Sequence, residues 1–391
     1  MDEPVTAIGD GPLHAALRRR GVERTKAQTQ DSRVHNRSLI LATLFHQGPM
    51  SRADLARGSG LTAPTISALV SDLEADGLVA DTEDVHGSGA RRRGKPSMLV
   101  EIQDDAVSLV VVDLHAGDFR GAVMNLRGRV VARRHVDIGD ATGDQALAHL
   151  VELVESLIER APARILGVGV STPGIVDDEG VIRQAGSLGW YDLPLAHRLA
   201  ERFGVPAYVG NDVNLLALAA MNLGKTQARN LMVIANEFGV GAGLIVGGRL
   251  VEGEQFSAGE MGHLTVDGEG ELCAVCGRRG CLDLFVAAAE LQGRLAAAPP
   301  ERHTEILSDA GRALGTVLAP IASALNLNEF LIIGPVDLVD GAFLDSAQET
   351  ARARTLSPIS ASLTVRSLAA GPDLALLGAA CQILTAELGV F

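Results

Sequence analysis

Three cysteines and one histidine are the residues of this chain best suited to bind a metal. They stand in the segment HLTVDGEGELCAVCGRRGCLD, and the whole chain of 391 residues has only four cysteines. One imidazole and three thiolates are a common ligand set of closed, tetrahedral zinc sites. We therefore predict one structural Zn²⁺ per chain, with the ligands His263, Cys273, Cys276 and Cys281.

Two other interpretations of the cysteine cluster stay open. Cys273 and Cys276 have the Cys-x-x-Cys spacing of a redox pair, and the three thiols could also be unreacted and buried. A redox pair would not need His263 or Cys281, and buried free thiols are not expected beside charged residues. Cys381, in ALLGAACQIL, is expected to be a core thiol of a terminal helix.

Polar residues beside glycine form a second group with chemical potential. GNDVN contains Asn211 and Asp212, and GEMGH contains Glu260 and His263. A sugar is recognised through its hydroxyls, which both donate and accept hydrogen bonds, so carboxylates, amides and an imidazole suit it. On the residues alone, an Asx turn in which Asn211 and Asp212 cap the following helix is as well supported as a sugar site.

Residues 31–104 carry the pattern of a winged helix-turn-helix domain. VHNRSLILATLFHQG, SRADLARGSG and TAPTISALVSDLEADG have helical spacing of apolar residues, and Ser51 and Thr62 are suitable N-caps. The third helix would enter the major groove of DNA by its N-terminal end. A three-helix scaffold that binds protein is the alternative. The predicted base-contacting residues are Thr62, Ala63, Thr65 and Ser67.

A basic loop follows between two predicted strands, LVADTEDV and SMLVEI. The loop GSGARRRGKP is slim and positively charged, so it can neutralise phosphates and lie in a narrow minor groove. A solvated linker would not need a strand on each side. We therefore predict a DNA-binding wing, with phosphate contacts from Arg91, Arg92, Arg93 and Lys95.

The net charge of −14 is unevenly distributed. The first 100 residues carry a net charge of +1, whereas the remaining 291 carry −15, which disfavours nonspecific DNA contact outside the N-terminal part. No apolar run reaches the roughly 20 residues that cross a bilayer, and we see no signal peptide. We expect a cytoplasmic protein without membrane contact, in which residues 1–30 form a disordered tail.

Residues 105–391 contain a weak internal repeat. LVVVDLHAGDFRGAVMNLRGRVV and LMVIANEFGVGAGLIVGGRLV each predict a three-stranded meander, and strand and helix patterns follow both. Two duplicated α/β lobes with a cleft between them match the actin-like ATPase (ribonuclease H-like) architecture. We predict one lobe from about 105–211 plus 372–391 and the other from about 212–371.

Five motifs make the resemblance to a known family specific. STPGIVD, GNDVN, GVGAG, GEMGH and CGRRGCLD follow one another as they do in the ROK family of repressors and sugar kinases. The resemblance implies a sugar between the lobes, held by Glu260 and His263, with Asp212 at the position of the kinases' general base. Asp283 stands where the family usually has Glu, and it is one methylene shorter. The predicted sugar-binding residues are Asn211, Asp212, Glu260, His263 and Asp283.

Three further positions depart from the kinase members of that family. The run Asp113 to Gly117 reads DLHAG where kinases resemble Asp-x-Gly-Gly-Thr, and Glu237 and Phe238 stand in the second phosphate loop. Pro335 replaces a glycine near the expected adenosine site. A carboxylate and a bulky ring repel or block a polyanion. We therefore expect no catalytic residue, with Asp212 as a vestigial base. In AGSLGW, Ser187 and Trp190 are expected near the sugar.

Together these patterns predict a transcriptional repressor of carbohydrate-metabolism genes. A homodimer or tetramer would bind double-stranded operator DNA, and a sugar or sugar phosphate in the zinc-stabilised ROK-like domain would control that binding. One alternative is an active ATP-dependent sugar kinase with a DNA-binding head. A second is a zinc-dependent interaction protein without a small-molecule ligand.

Overall fold

The computed structural model describes residues 32–83, 98–236, 239–369, 371 and 373–391. The predicted tail, the basic loop with Arg91, Arg92, Arg93 and Lys95, and the pair Glu237 and Phe238 lie outside the described residues. The N-terminal domain has the elements α1 (Ser32–Gln47), β1 (Met50–Ser51), α2 (Arg52–Ser59), α3 (Ala63–Ala75), β2 (Val79–Glu83) and β3 (Met98–Ile102).

Local capping explains where the helices of this domain begin. Ser51 Oγ accepts the Asp54 N–H at 3.1 Å and caps α2, and Thr62 caps α3 by accepting the Thr65 N–H. The turn between these helices contains Gly60 with a φ of 70°, which suits glycine. The strands pair in the order β1-β3-β2. The predicted winged helix-turn-helix is therefore confirmed for the described residues.

The first sheet of the larger domain has the strand order β11-β7-β4-β5-β6. Its strands β4 and β7 are buried along nearly their whole length, as expected for strands covered on both faces. A small three-stranded sheet, β10-β9-β8, lies at its side. The elements of this part are β4 (Ser108–Leu114), β5 (Asp118–Met124), β6 (Val130–Asp137), α4 (Gly143–Ile158), β7 (Ile165–Thr172), β8 (Ile175–Val176), β9 (Ile182–Ala185), β10 (Trp190–Leu193), α5 (Leu195–Phe203) and β11 (Ala207–Asn211).

The second sheet has the strand order β14-β13-β12-β15-β16. Its antiparallel strands β12, β13 and β14 repeat the arrangement of β4, β5 and β6, and β15 lies parallel to β12 as β7 lies parallel to β4. The predicted internal repeat is therefore present. The elements are α6 (Asp212–Asn222), β12 (Leu231–Asn236), β13 (Val240–Val246), β14 (Arg249–Leu250), α7 (Asp283–Val286), α8 (Ala288–Ala297), α9 (His303–Leu325), β15 (Glu329–Ile333), α10 (Val336–Val339), α11 (Ala342–Ala353), α12 (Ser357–Ser360), β16 (Thr364–Ser367) and α13 (Leu374–Leu388).

The longest helix of the described residues is α9, with 23 residues. It packs along α11 and buries one face in the core of the second sheet. Within the described ranges, none of the helices combines the length and the apolar character needed to cross a membrane.

Helices α6 and α13 pack against each other and connect the two sheets. Helix α6 contacts β12 and β13, whereas α13 contacts β4 and β7. Their approach is close at Gly378, where an added Cβ atom would lie 2.2 Å from the carbonyl oxygen of Leu215. Glycine is therefore required at this position of α13, and the pair packs as one unit between the sheets.

The end of the chain packs against helix α1 of the winged helix. His46 Nε2 lies 2.7 Å from the carbonyl oxygen of Val390, and the rings of Phe45 and Phe391 meet edge to face at 5.6 Å. Arg127, in the turn after β5, donates to the carbonyl oxygen of Phe45 at 2.7 Å and places its guanidinium 4.5 Å from the Phe45 ring centre. We call these contacts the C-terminal clasp. One continuous apolar core runs from the winged helix through them into the larger domain.

Candidate functional site

A cavity of about 410 Å³ opens where loops from the two sheets face each other. Its lining includes the start of α6, the glycine-rich beginning of β13 and the first residues of α13, Leu374 and Ala375. All five residues predicted to bind the sugar line this cavity, although they lie as far apart in sequence as Asn211 and Asp283. Loops of both repeats therefore contribute to one polar cavity.

Asn211 and Asp212 form the predicted Asx turn, and both also line the cavity. Asn211 is the N-cap of α6, because its Oδ1 accepts the Asn214 N–H at 3.0 Å. Its Nδ2 donates to the carbonyl oxygen of Gly174 at 2.9 Å and to Asp212 Oδ1 at 3.0 Å. Asp212 Oδ1 also accepts the Val213 N–H at 2.8 Å. The Asx turn therefore fixes the Asp212 carboxylate in place beside the cavity.

The pKa of Asp212 is raised to about 7, chiefly by burial and also by the nearby carboxylates of Asp113 and Glu260. The Val213 N–H and the His115 ring act in the opposite direction. A carboxylate that titrates near neutral pH can accept a proton from a hydroxyl or donate one to it. Asp212 is therefore the most strongly perturbed carboxylate of this cavity.

Glu260 and His263 reach the cavity through a loop whose course depends on Gly259. Gly259 has a φ of 96°, and a Cβ atom there would lie 1.8 Å from the carbonyl oxygen of Ala242 on β13. Burial, followed by the nearby Asp283, raises the pKa of Glu260, whereas His263 lowers it. The loop therefore brings an acid and an imidazole to the same wall.

Asp283 links the cavity wall to the histidine. Its Oδ1 accepts the Val240 N–H at 2.9 Å, and its Oδ2 lies 3.8 Å from His263 Nδ1. An added Cβ atom at Gly262 would lie 2.4 Å from Asp283 Oδ1, so the carboxylate fits tightly against this backbone. Asp283 therefore orients its neighbours as well as lining the cavity.

Sequence reasoning did not identify Asp113 and His115 as part of the ligand-facing wall. His115 Nε2 lies 2.8 Å from Asp113 Oδ2, and both residues line the cavity beside Asp212. The hydrogen bond to Asp113 is the main cause of the raised pKa of His115. In the sequence, DLHAG departs from the kinase pattern by its missing glycines, and its imidazole two residues after an acid that ends an apolar run is the signal for this wall.

Ser187 and Trp190 have different positions. Ser187 lines the cavity as predicted, but the placement of Trp190 near the sugar is wrong. The indole is only 4% exposed, packs in the core beneath β7, and donates its Nε1–H to the carbonyl oxygen of Gly143 at 2.9 Å. A backbone carbonyl satisfies the indole N–H, so the ring belongs to the core.

The four predicted metal ligands meet at one point. The ligand atoms of His263, Cys273, Cys276 and Cys281 all lie within 4.8 Å of one another. His263 Nδ1 is 3.7 Å from Cys273 Sγ, and the Sγ atoms of Cys276 and Cys281 are 3.3 Å apart. Zinc bound at its usual distances separates neighbouring ligand atoms by about 3.5–3.8 Å, whereas a disulfide bond is about 2.05 Å long. The cluster therefore fits a tetrahedral zinc ion.

The two residues between Cys273 and Cys276 leave both thiols in the cluster. Val275 points outward and is 81% exposed, while Cys273 stays buried in the cluster. Gly277 and Gly280 have φ angles of 70° and 61°, which let the chain turn back. The Arg278 N–H is the main cause of the lowered pKa of Cys276. A lowered thiol pKa favours the thiolate that binds metal.

The predicted DNA-reading residues lie at the N-terminal end of α3. Thr62, Ala63 and Ser67 are exposed, whereas Thr65 is half-buried and its Oγ1 lies 2.8 Å from Thr62 Oγ1. The stripe on the opposite face, with Ile66 and Leu73, is buried in the domain core. The surface presented by α3 is therefore short, polar and accessible.

Comparison with protein families assigns the two domains. A profile of the ROK family matches residues 109–385, and a profile described as winged helix-turn-helix DNA-binding matches residues 35–80. The chain belongs to the ROK family. Its larger domain is thus a ROK domain, and its winged helix corresponds to the second profile.

Similar ROK proteins include curated repressors. A putative xylose repressor of Caldicellulosiruptor sp. (strain Rt8B.4) is 30% identical over 259 residues, which cover 64% of this chain and 63% of that protein. The match thus spans just under two thirds of the length of that relative. The regulator NagC of Escherichia coli (strain K12) is 26% identical over 361 residues, covering 84% of this chain and 87% of its own.

Solved ROK structures confirm the fold. A ROK family transcriptional regulator, described as a homolog of the E. coli MLC protein, aligns with a TM-score of 0.81 and 22% identity over 92% of this chain and 97% of its own. The ROK hexokinase from Thermus thermophilus aligns with a TM-score of 0.60 and 27% identity over 70% of this chain and 97% of its own. The predicted two-lobed architecture with an added winged helix is confirmed.

Proposed function

We propose that this ROK protein is a DNA-binding transcriptional repressor of carbohydrate-metabolism genes, controlled by a sugar. The observation that carries the proposal is the physical link between two surfaces. An exposed helix N-terminus suited to a DNA groove and a polar cavity suited to hydroxyls are joined through one continuous core. The names of the xylose repressor and NagC support the same function.

On the DNA side, α3 supplies short side chains to base edges, and the wing supplies charge. Thr62, Ala63, Thr65 and Ser67 suit methyl contacts and single hydrogen bonds. The wing residues Arg91, Arg92, Arg93 and Lys95, which lie outside the described residues, would neutralise phosphates. A homodimer would place two winged helices on the two halves of a palindromic operator.

On the sugar side, the cavity offers acceptors and the imidazoles of His115 and His263. The carboxylates of Asp212, Glu260 and Asp283 and the amide of Asn211 would accept from or donate to sugar hydroxyls. Zinc would be held by Nδ1 of His263 and by the three thiolates, and it would fix the loop and the orientation of the ring. The Nε2 atom would then be left for a sugar hydroxyl, because each imidazole nitrogen serves one partner.

Helix α13 offers a route from the sugar to the DNA-binding domain. Its first residues, Leu374 and Ala375, line the cavity, and the helix extends about 22 Å at 1.5 Å per residue. Val390 and Phe391, just beyond its end, form the C-terminal clasp with α1. A sugar that binds one closure of the lobes more tightly would shift α13 and with it the winged helix.

Gel-shift titration of the DNA upstream of the protein's own gene tests the proposal. We expect a specific complex whose affinity changes when the correct sugar is added. Replacing Arg91, Arg92 and Arg93 with Ala should weaken the complex and reduce the slope of log affinity against log salt by about 3. The matched control Arg312→Ala, in the ROK domain, should leave both unchanged. Wild-type affinity in the triple variant would contradict the DNA-binding role.

An active sugar kinase is the second candidate. The alignment with a hexokinase and the near-neutral pKa of Asp212, which suits a general base, favour it. The DLHAG segment argues against it, because His115 and Ala116 stand where close phosphate approach needs glycine. A coupled assay with ATP and a panel of hexoses separates the two candidates. We expect no turnover above background, and sustained turnover would establish the kinase.

A further inference from the structure

Phe256 has an unusual backbone conformation for its residue type. Among the described non-glycine residues, Asp192, Phe256 and Asn326 alone have a positive φ, and that of Phe256 is 56°. Aspartate and asparagine tolerate this left-handed region, whereas a bulky side chain there is strained, because its Cβ atom crowds the following carbonyl oxygen. Strain of this kind persists where the surrounding structure imposes it, and such residues cluster at functional sites.

The loop that carries Phe256 is tied down on both sides. The Ala258 N–H closes the loop by donating to the carbonyl oxygen of Glu252 at 3.0 Å. The next residue, Gly259, accepts the N–H of Ala242 in β13 at 2.9 Å through its carbonyl oxygen. The loop is therefore held on the second sheet, and its closure imposes the strained φ on Phe256.

The side chain of Phe256 is not used by the apolar cores. It is half-buried, and it belongs neither to the three cores of the described residues nor to the apolar residues packed against them. Instead, Phe256 lines the cavity, on the same loop as Glu260. Among the described residues of the lining, it alone has a benzene ring. Core packing therefore does not account for a phenylalanine at this strained position.

A sugar offers this cavity two kinds of surface. Its ring has hydroxyls around the rim and C–H groups on the faces. The carboxylates of Asp212 and Glu260 suit the hydroxyls, whereas the flat apolar ring of a phenylalanine suits a C–H face. Small-molecule sites generally combine a few polar groups with apolar and aromatic walls.

We propose that Phe256 is a specificity-determining residue, whose ring packs against a C–H face of a cyclic sugar. The proposal rests on the proposed function, since it requires a sugar in this cavity. An open-chain alditol has similar hydroxyls, but it has no rigid ring face and gives up more conformational freedom on binding. The tied loop holds the aromatic ring in position before the ligand arrives, which reduces the cost of binding. Phe256 therefore favours a cyclic sugar over the alditol made from it.

Isothermal titration calorimetry on the full-length protein tests the proposal. The ligands are D-glucose, D-xylose and N-acetyl-D-glucosamine, each beside the alditol formed by its reduction. We expect at least one sugar to bind the wild type about tenfold or more tightly than its alditol. Sugars that bind no more tightly than their alditols would overturn the role of Phe256 and leave the sugar-controlled repressor standing. If none of the six ligands binds, the proposed sugar control fails and the role of Phe256 fails with it.

Phe256→Ala separates this role from general damage to the loop. Loss of the ring should weaken binding of the sugar about tenfold and that of the alditol less than about threefold, so the preference falls. The matched control Tyr191→Ala removes an aromatic side chain that is 64% exposed and lies outside the cavity lining, so it should bind both ligands as the wild type does. Equal losses of sugar and alditol in Phe256→Ala would show that the ring only supports the loop, which would refute the proposal.

Phe256→Gly tests the strain, because glycine adopts a positive φ without steric cost. Glycine usually makes a protein less stable than alanine does, but at a φ of 56° the order should reverse. The melting temperature of Phe256→Gly should exceed that of Phe256→Ala by about 2 °C or more, while both variants lose the preference for the sugar. A lower melting temperature for Phe256→Gly would show that the loop stores no strain and would contradict a ring fixed before binding.

Discussion

Phe391→Ala is the sharpest test of the C-terminal clasp. The Phe391 ring meets Phe45 at 5.6 Å and His46 at 5.8 Å, both edge to face, at the C-terminal end of α1. Alanine would remove both ring contacts but leave the neighbouring bond between His46 Nε2 and the Val390 carbonyl oxygen. The change therefore weakens the attachment of the winged helix without removing a polar group.

The expected magnitude follows from the contacts. Each edge-to-face ring pair contributes about 0.5–1.5 kcal/mol, and partial burial of the ring adds about 1 kcal/mol. The attachment of α1 should thus lose about 2–4 kcal/mol. That loss corresponds to about a 30- to 700-fold increase in the equilibrium for detachment of the winged helix, since 1.4 kcal/mol is tenfold.

Hydrogen exchange read by mass spectrometry measures this effect segment by segment. Peptides from α1 should exchange faster in Phe391→Ala, whereas peptides from α9 in the second sheet should exchange as in the wild type. The control Leu356→Ala removes an apolar side chain that is 78% exposed, so it should change neither. Less than a threefold change in α1, or an equal change in α9, would refute the idea of a local clasp.

Three further predictions concern the metal, pH and the cavity loop. We expect metal analysis to find one zinc ion per wild-type chain, which Cys281→Ser should lose and Cys381→Ala, in the terminal-helix core, should retain. The pKa of Asp212 is about 7 in the folded protein and near 3.8 in the unfolded chain, so the free energy of unfolding falls as pH rises from about 4 to 7. In urea unfolding, the stability of Asp212→Asn relative to the wild type should therefore be about 1 kcal/mol greater at pH 8 than at pH 6. An equal difference at both pH values would contradict the shifted pKa. Gly259→Ala should lower the free energy of unfolding by about 3 kcal/mol or more, because the added Cβ atom would overlap the Ala242 carbonyl. The control Gly268→Ala should change it by less than about 0.5 kcal/mol, because a Cβ atom there has no other atom within 4 Å.

Features that depend on neighbouring residues could be predicted from the sequence. Ser51 and Thr62 cap helices because a hydroxyl reaches the N–H three residues on, and that relation is local. The cysteines gather because short glycine turns return the chain to the same point. The two repeated meanders show in the spacing of apolar strands, so the duplicated architecture was also accessible.

Features that depend on distant residues could not be predicted. His46 and Val390 meet across 344 positions, and no local pattern of either one indicates the other. Asp113 lines the same cavity as Asp283 only because the two sheets face each other. Trp190 is a false positive of sequence reasoning. The sequence places it near the sugar, whereas its indole N–H donates to the Gly143 carbonyl oxygen within the core.

The position of α13 has a consequence for how the chain folds during synthesis. Helix α13 covers β4 and β7 of the first sheet of the ROK domain. About 200 residues separate β7 from α13, and the ribosome must synthesise them before this helix can pack. An added Cβ atom at Gly169 of β7 would lie 2.9 Å from the Ala379 carbonyl oxygen, so the backbone of α13 packs directly against this strand. The first sheet of the ROK domain therefore keeps this apolar face uncovered until α13 emerges from the ribosome. Its completion is a late, long-range step, and the uncovered apolar face makes the nascent chain more prone to aggregation during that interval.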